Sequence, residues 1–218
     1  PVTIAFNVSN DEVGFTVGTY NPREPLIIDP TYAWHTFYGG SGEDDGNEIS
    51  IDTNGNIYVT GTSEATWGSP LNAHSGGYDI VVLKLNSNGA YQWHTFYGSS
   101  SYDKGYGIAV DTGGNVYVTG RSNTTWGSPL HASNPGNDIF ILKLNNSGAY
   151  QWHTFYGSSS FENGHAIAVD ASGNIYVSGS SETTWGSPLN AHSGSDNSDI
   201  VVLKLNGDHN VPYFDITG

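Results

Sequence analysis

Adjacent carboxylates crowd one short string, Gly42-Glu43-Asp44-Asp45-Gly46. Concentrated oxygen ligands of this kind suit a hard cation such as Ca2+, and the same composition also suits a solvated acidic loop. A second string, Asp52-x-Asn54-Gly55-Asn56, resembles the opening of a calcium loop but has no bidentate Glu downstream, and Asn and Gly there equally fit a tight turn. Trp67, Trp126 and Trp185 are each followed by Gly-Ser-Pro-Leu, with His74 or His192 and Asn72 or Asn190 close in sequence. An exposed indole beside such polar groups could stack on a sugar ring, or the Trp and Leu could fold their loop back onto the protein. No nucleophile-elbow string, His-Glu-x-x-His helix or phosphate loop occurs, so the chain is expected to be non-catalytic and to require no cofactor, with Ca2+ as a compatible ion.

These residues recur because the chain does. Trp34, Trp93 and Trp152 each open Trp-His-Thr-Phe-Tyr-Gly, at a spacing of 59 residues. Repeats at fixed spacing mark stacked or radial architectures in which each unit needs a neighbour to bury its apolar face. The acidic run has counterparts in Tyr102-Asp103-Lys104 and Phe161-Glu162-Asn163, where the charge is diluted. His35, His94 and His153 recur within the opening string and read as hydrogen-bonding groups between blades.

Within one unit, Ile49–Asp52 and Ile57–Thr60 flank Thr53-Asn-Gly-Asn56, a hairpin signal because Gly and Asn accept positive φ. Ile80–Leu85 is a nearly continuous apolar run, expected where both faces of a strand are covered. Tyr91–Tyr97 follows as a fourth strand. Lys84, Lys143 and Lys204 sit amid these apolar runs and are expected to pair with Asp52, Asp111 and Asp170. Helical periodicity is absent, so the expected fold is all-β: a propeller-type array of three four-stranded antiparallel blades. The repeats run at about 34–92, 93–151 and 152–210 within a region 31–218. Residues 1–30 form an N-terminal extension, with a hairpin around Ser9–Glu12 and an extended lead-in at 25–30, and residues 211–217 could add one more strand.

Composition narrows the partners. The 218 residues carry a formal charge of −15 with six Lys and Arg, too few cations to neutralise phosphates, so nucleic acid and anionic lipid are unsuitable. No apolar run approaches the about 18 residues of a membrane span. Cys is absent, so neither disulfides nor thiolate chemistry is available, and Met is absent even at position 1, as expected of a processed chain or an excerpt.

The strings Asp-x-x-Gly-Asn-[Ile/Val]-Tyr-Val-[Thr/Ser]-Gly, Asp-Ile-x-x-Leu-Lys-Leu-Asn and Trp-His-Thr-Phe-Tyr-Gly-[Gly/Ser]-Ser resemble the SBBP (β-propeller) repeats of secreted and cell-surface proteins of bacteria and archaea. The resemblance implies a propeller-type fold and an extracellular or cell-surface setting, and implies no catalytic chemistry.

Closed propellers need about four to eight blades. Three units fall short, and the third ends after Leu205 without its own Trp-His-Thr-Phe-Tyr, while Tyr32–Tyr38 is such a strand without a blade. The chain is therefore expected to associate with copies of itself into a homomeric ring, filament or tube, or to be part of a longer polypeptide carrying more blades. A glycan- or cation-binding adhesion module is the alternative, using Trp67, Trp126, Trp185, His74 and His192 for glycans and Glu43, Asp44 and Asp45 for the ion.

Overall fold

A computed structural model describes residues 4–9, 12–19, 21, 23, 33–194 and 197–207. The chain divides into two units, Pro1–His35 and Thr36–Gly218. In the first, β1 (Ile4–Ser9) and β2 (Glu12–Val17) pair antiparallel, with Val8 opposite Val13 and Ser9 opposite Glu12. This is the expected hairpin. The lead-in at 25–30 and the extra strand at 211–217 lie outside the described residues.

Among its described residues the second unit holds three antiparallel sheets in sequence order. The first contains β3 (Asp44–Ile51), β4 (Ile57–Ser63), β5 (Asp79–Leu85) and β6 (Tyr91–Tyr97). The second contains β7 (Asp103–Val110), β8 (Val116–Ser122), β9 (Asp138–Leu144) and β10 (Tyr150–Tyr156). The third contains β11 (Glu162–Val169), β12 (Ile175–Ser181) and β13 (Asp199–Leu205). The array is all-β and blade-like, with the third sheet one strand short among the described residues. Residues 33–40, which carry the first copy of the strand-four string, adopt no regular strand.

Each turn between the first two strands of a sheet is built by one aspartate. Asp52 Oδ1 accepts from the main-chain N–H groups of Asn54 and Asn56 at 2.9 Å, and Oδ2 from the Asn56 side chain at 2.8 Å. Gly55 supplies the positive φ of 79° that closes the turn. Asp111 and Asp170 repeat the arrangement. The Asp52 string thus uses both carboxylate oxygens as turn ligands.

Every first strand carries a bulge, at Gly46/Glu48, Gly105/Gly107 and Gly164/Ala166, opposite the Gly of Thr-Gly or Ser-Gly in the second strand. The bulged main chain comes close: a Cβ on Gly120 would run into the carbonyl oxygen of Lys104. Gly120→Ala must push two strands apart, so it is expected to lower stability by about 1–3 kcal/mol, as overpacking does, measured as a lowered midpoint of thermal unfolding.

The core lies between sheets. Ile80 and Val82 of β5 pack with Ile108, Phe140 and Leu142 of the second sheet, while Ile139 and Ile141 pack with Ile167, Ile175 and Val177 of the third. Consecutive β9 residues therefore serve opposite neighbours, which is why an unbroken apolar run was needed there.

Candidate functional site

The Trp-bearing connection between the second and third strands folds back onto its own sheet. Gly68 and Gly127 take positive φ of 55° and 56°, and the preceding indoles lie flat on His94 and His153 at 3.8 Å between ring centroids. Each imidazole bonds the Trp carbonyl through Nε2, at 2.9 Å for Trp67 and 2.8 Å for Trp126, and meets a tyrosine hydroxyl (Tyr91 or Tyr150) through Nδ1 at 2.9 Å. Burial holds both histidines below the usual imidazole range, so they are neutral at neutral pH. The bonds expected between blades are made within one sheet, because the Trp loop, not the adjacent blade, supplies the acceptor.

Trp185 is different. Its Nε1 donates to Ser181 Oγ at 3.1 Å and its ring lies over Tyr156, but no described histidine stacks on it, since the third sheet has no fourth strand among the described residues. Trp185, Leu189, His192, Asp199, Ile200 and Val202 instead line an open groove of about 550 Å³.

The remaining sequence candidates are separated. His74 is committed on both nitrogens, Nε2 to the Ser63 carbonyl at 3.1 Å and Nδ1 accepting from Gly76 N–H at 3.1 Å. His192 Nε2 lies 4.0 Å from Asp199 Oδ1. Glu43 accepts from the Tyr78 hydroxyl at 3.1 Å, whereas Asp44 accepts from Gly40 N–H at 2.7 Å and Ser63 Oγ at 2.6 Å. Asp44 and Asp45 are consecutive strand residues and so face opposite ways. Among the described residues no three His, Cys, Asp or Glu side chains gather as metal ligands. Lys84, Lys143 and Lys204 do not bond the turn aspartates directly. Each ammonium lies over the cross-strand tyrosine (Tyr58, Tyr117 or Tyr176) at 4.9, 5.1 and 5.4 Å, and the tyrosine hydroxyl bonds the aspartate.

Two features were not legible as sites. The first is a pair of fully buried carboxylates at each sheet–sheet boundary, Asp79 with Asp103 and Asp138 with Glu162. Burial, with the neighbouring acid adding to it, pushes Asp79 and Asp138 up to about 6. Their signal is positional: an acid opens the first and the third strand of every repeat.

The second is a pair of bare end faces. On β13 Ile200 is 86% and Val202 71% exposed, and on β3 Ile49 is 59% and Ile51 63% exposed. Their counterparts inside the array, Ile80, Val82, Ile139 and Ile141 on one side and Ile108 and Ile167 on the other, are buried against each other. Beside the β3 face, Tyr38 stands over Trp67 at 6.3 Å and Tyr91 at 6.1 Å, as Tyr97 stands over Trp126 at 6.0 Å and Tyr150 at 6.1 Å. Tyr38 thus occupies the place that a preceding blade's fourth strand would give it.

Repeated antiparallel sheets that bury their cores against each other define a β-propeller-type repeat protein. Its repeats are of a known kind: the family described as Beta-propeller repeat (SBBP) matches residues 33–66 and 92–125, and the chain carries repeats of that family. It is also similar to an uncharacterized WD repeat-containing protein of Acanthamoeba polyphaga mimivirus, 25% identical over 226 residues that cover 88% of this chain. The chain spans only 16% of that relative's length.

Proposed function

We propose that the chain is a non-catalytic structural protein of the extracellular space or cell surface that assembles head to tail with copies of itself into a ring, filament or tube. One observation carries this reading. β5 and β13 have the same sequence, Asp-Ile-Val-Val-Leu-Lys-Leu, yet β5 is covered on both faces and β13 on one. What covers Ile80 and Val82 is the next sheet of the array, so the matching cover for Ile200 and Val202 is a further β3-type face, which this reading draws from a second copy, with Ile49 and Ile51 in the place of Ile108 and Val110.

The same step completes the third sheet. β13 pairs with β12 alone among the described residues, and residues 34–38 of the second copy carry the missing strand-four sequence. In the first sheet Val82 pairs with Thr95, Leu83 with His94 and Val81 with Phe96. The corresponding register across the junction sets Val202 against Thr36, Leu203 against His35 and Val201 against Phe37. An exposed strand edge is a template for such addition, and the contact is heterologous, so it closes into a ring or propagates according to its rotation. The extracellular setting is supported by the family resemblance.

The adhesion reading keeps one feature, the groove beside Trp185 that could take a sugar. In the assembled state that groove receives residues 34–38. Light scattering across a dilution series is the test: species heavier than the 23.3 kDa chain that dissociate on dilution are expected, and a constant single-chain mass at all concentrations overturns the reading.

A further inference from the structure

The paired carboxylates between sheets carry a second inference, independent of assembly. Asp79 and Asp103 open β5 and β7, Asp138 and Glu162 open β9 and β11, and all four are fully buried. One member of each pair is fully hydrogen-bonded. Asp103 accepts from Ser122 Oγ on Oδ1, and from Ser99 N–H at 2.7 Å and Ser99 Oγ at 2.8 Å on Oδ2. Glu162 accepts from Ser158 N–H and Ser158 Oγ, both at 2.8 Å, and from Ser181 Oγ at 3.2 Å.

The other member is half-satisfied. Asp79 Oδ2 takes Ser75 N–H and Asp138 Oδ2 takes Asn134 N–H, but Asp79 Oδ1 and Asp138 Oδ1 are buried with no hydrogen-bond partner. Both orphan oxygens lie beside the opposing acid. A Cβ on Gly98 would strike Asp79 Oδ1 and lie 3.0 Å from Asp103 Oδ2; a Cβ on Gly157 would strike Asp138 Oδ1 and lie 2.6 Å from Glu162 Oε2. Glycine keeps the space between the acids open in both copies.

Buried anionic oxygens that face each other with no donor between them need a positive charge. His74 is the chargeable neighbour of Asp79, but its ring nitrogens are held by Ser63 and Gly76, and Ser133 stands in the matching place before Asp138. We propose that Ca2+ binds at each boundary, bridging Asp79 to Asp103 and Asp138 to Glu162. The donors are all oxygen, with the Ser99 and Ser158 hydroxyls beside them, which selects a hard cation. Two carboxylates on different strands suit the variable coordination of Ca2+ better than the strict octahedron of Mg2+. The ion ties one sheet to the next, where the core is.

The full chain, stripped with chelator and titrated with CaCl2 by calorimetry at pH 7.5, is expected to bind at least two ions and to show a raised unfolding midpoint. Asp79→Asn and Asp138→Asn should each remove one ion per chain, and the double variant should lose the calcium-induced shift. Because an amide removes a buried charge, these variants unfold no earlier than the calcium-free parent, which shows that they fold. A double variant that binds as many ions as the parent overturns the proposal. So does a midpoint indifferent to millimolar Ca2+.

Discussion

The double substitution Ile200→Glu/Val202→Glu is expected to leave a folded single chain of 23.3 kDa at concentrations where the parent assembles. Both side chains are bare in the single chain, at 86% and 71% exposure, so polar replacements there remove little that holds the monomer together. Burying an Ile and a Val contributes roughly 3–6 kcal/mol together. Losing that weakens the junction by about 10²–10⁴-fold at 1.4 kcal/mol per decade. Glutamate is the sharper replacement for a chain of charge −15, because added negative charge finds few cations to rescue it. The same pair of changes at Ile80 and Val82 would place charge in the core and unfold the protein, which makes the contrast diagnostic. Unchanged circular dichroism with a collapsed mass by light scattering supports the junction; an unchanged mass removes these residues from it.

That contrast also marks where sequence stops informing. Strand-forming runs and the Asp-Gly-Asn turns were readable, since each is set by side chains within about ten residues of one another, and the four-strand order followed from the recurrence of those runs. The fully apolar third strand was readable as doubly covered, and β5 and β9 are. β13 repeats the β5 sequence and is not, because the covering sheet lies in the next repeat and not in the strand itself. First strands begin at Asp44, Asp103 and Glu162, earlier than the apolar residues suggest, because the bulge breaks the alternation that would have extended the reading. Asp103 and Glu162 were readable only as diluted counterparts of the acidic run, and Asp79 and Asp138 not at all, for a related reason: an Asp before a β-run reads as a turn residue, and only the packing of adjacent sheets encloses it. Lys84 misled in the opposite direction, since its carboxylate is reached through the hydroxyl of Tyr58 and not by an ion pair.

Polarity gives the most demanding test. A head-to-tail junction has two unlike halves, so a chain crippled at one half retains the other. In β6 the Phe96 N–H donates outward to the Asn72 carbonyl at 3.1 Å and the His94 carbonyl accepts outward from Leu71 at 2.9 Å. Strand alternation therefore turns the main chain of Thr95 toward β5. Thr36 is its counterpart, so Thr36→Pro removes a ladder donor from the incoming strand, and adding Ile49→Glu spoils the β3 face. Both positions are exposed in the single chain. This head-deficient chain and the tail-deficient Ile200→Glu/Val202→Glu chain should each be monomeric at concentrations where the parent assembles. Mixed in equal amounts they should form a particle of two chains and grow no further, since one intact head meets one intact tail and no second junction is left. A symmetric, like-to-like interface gives another outcome: a chain retaining its self-complementary patch would dimerise alone, and mixing would add nothing. Sedimentation velocity on the three samples separates the two geometries without reference to the shape of the final assembly.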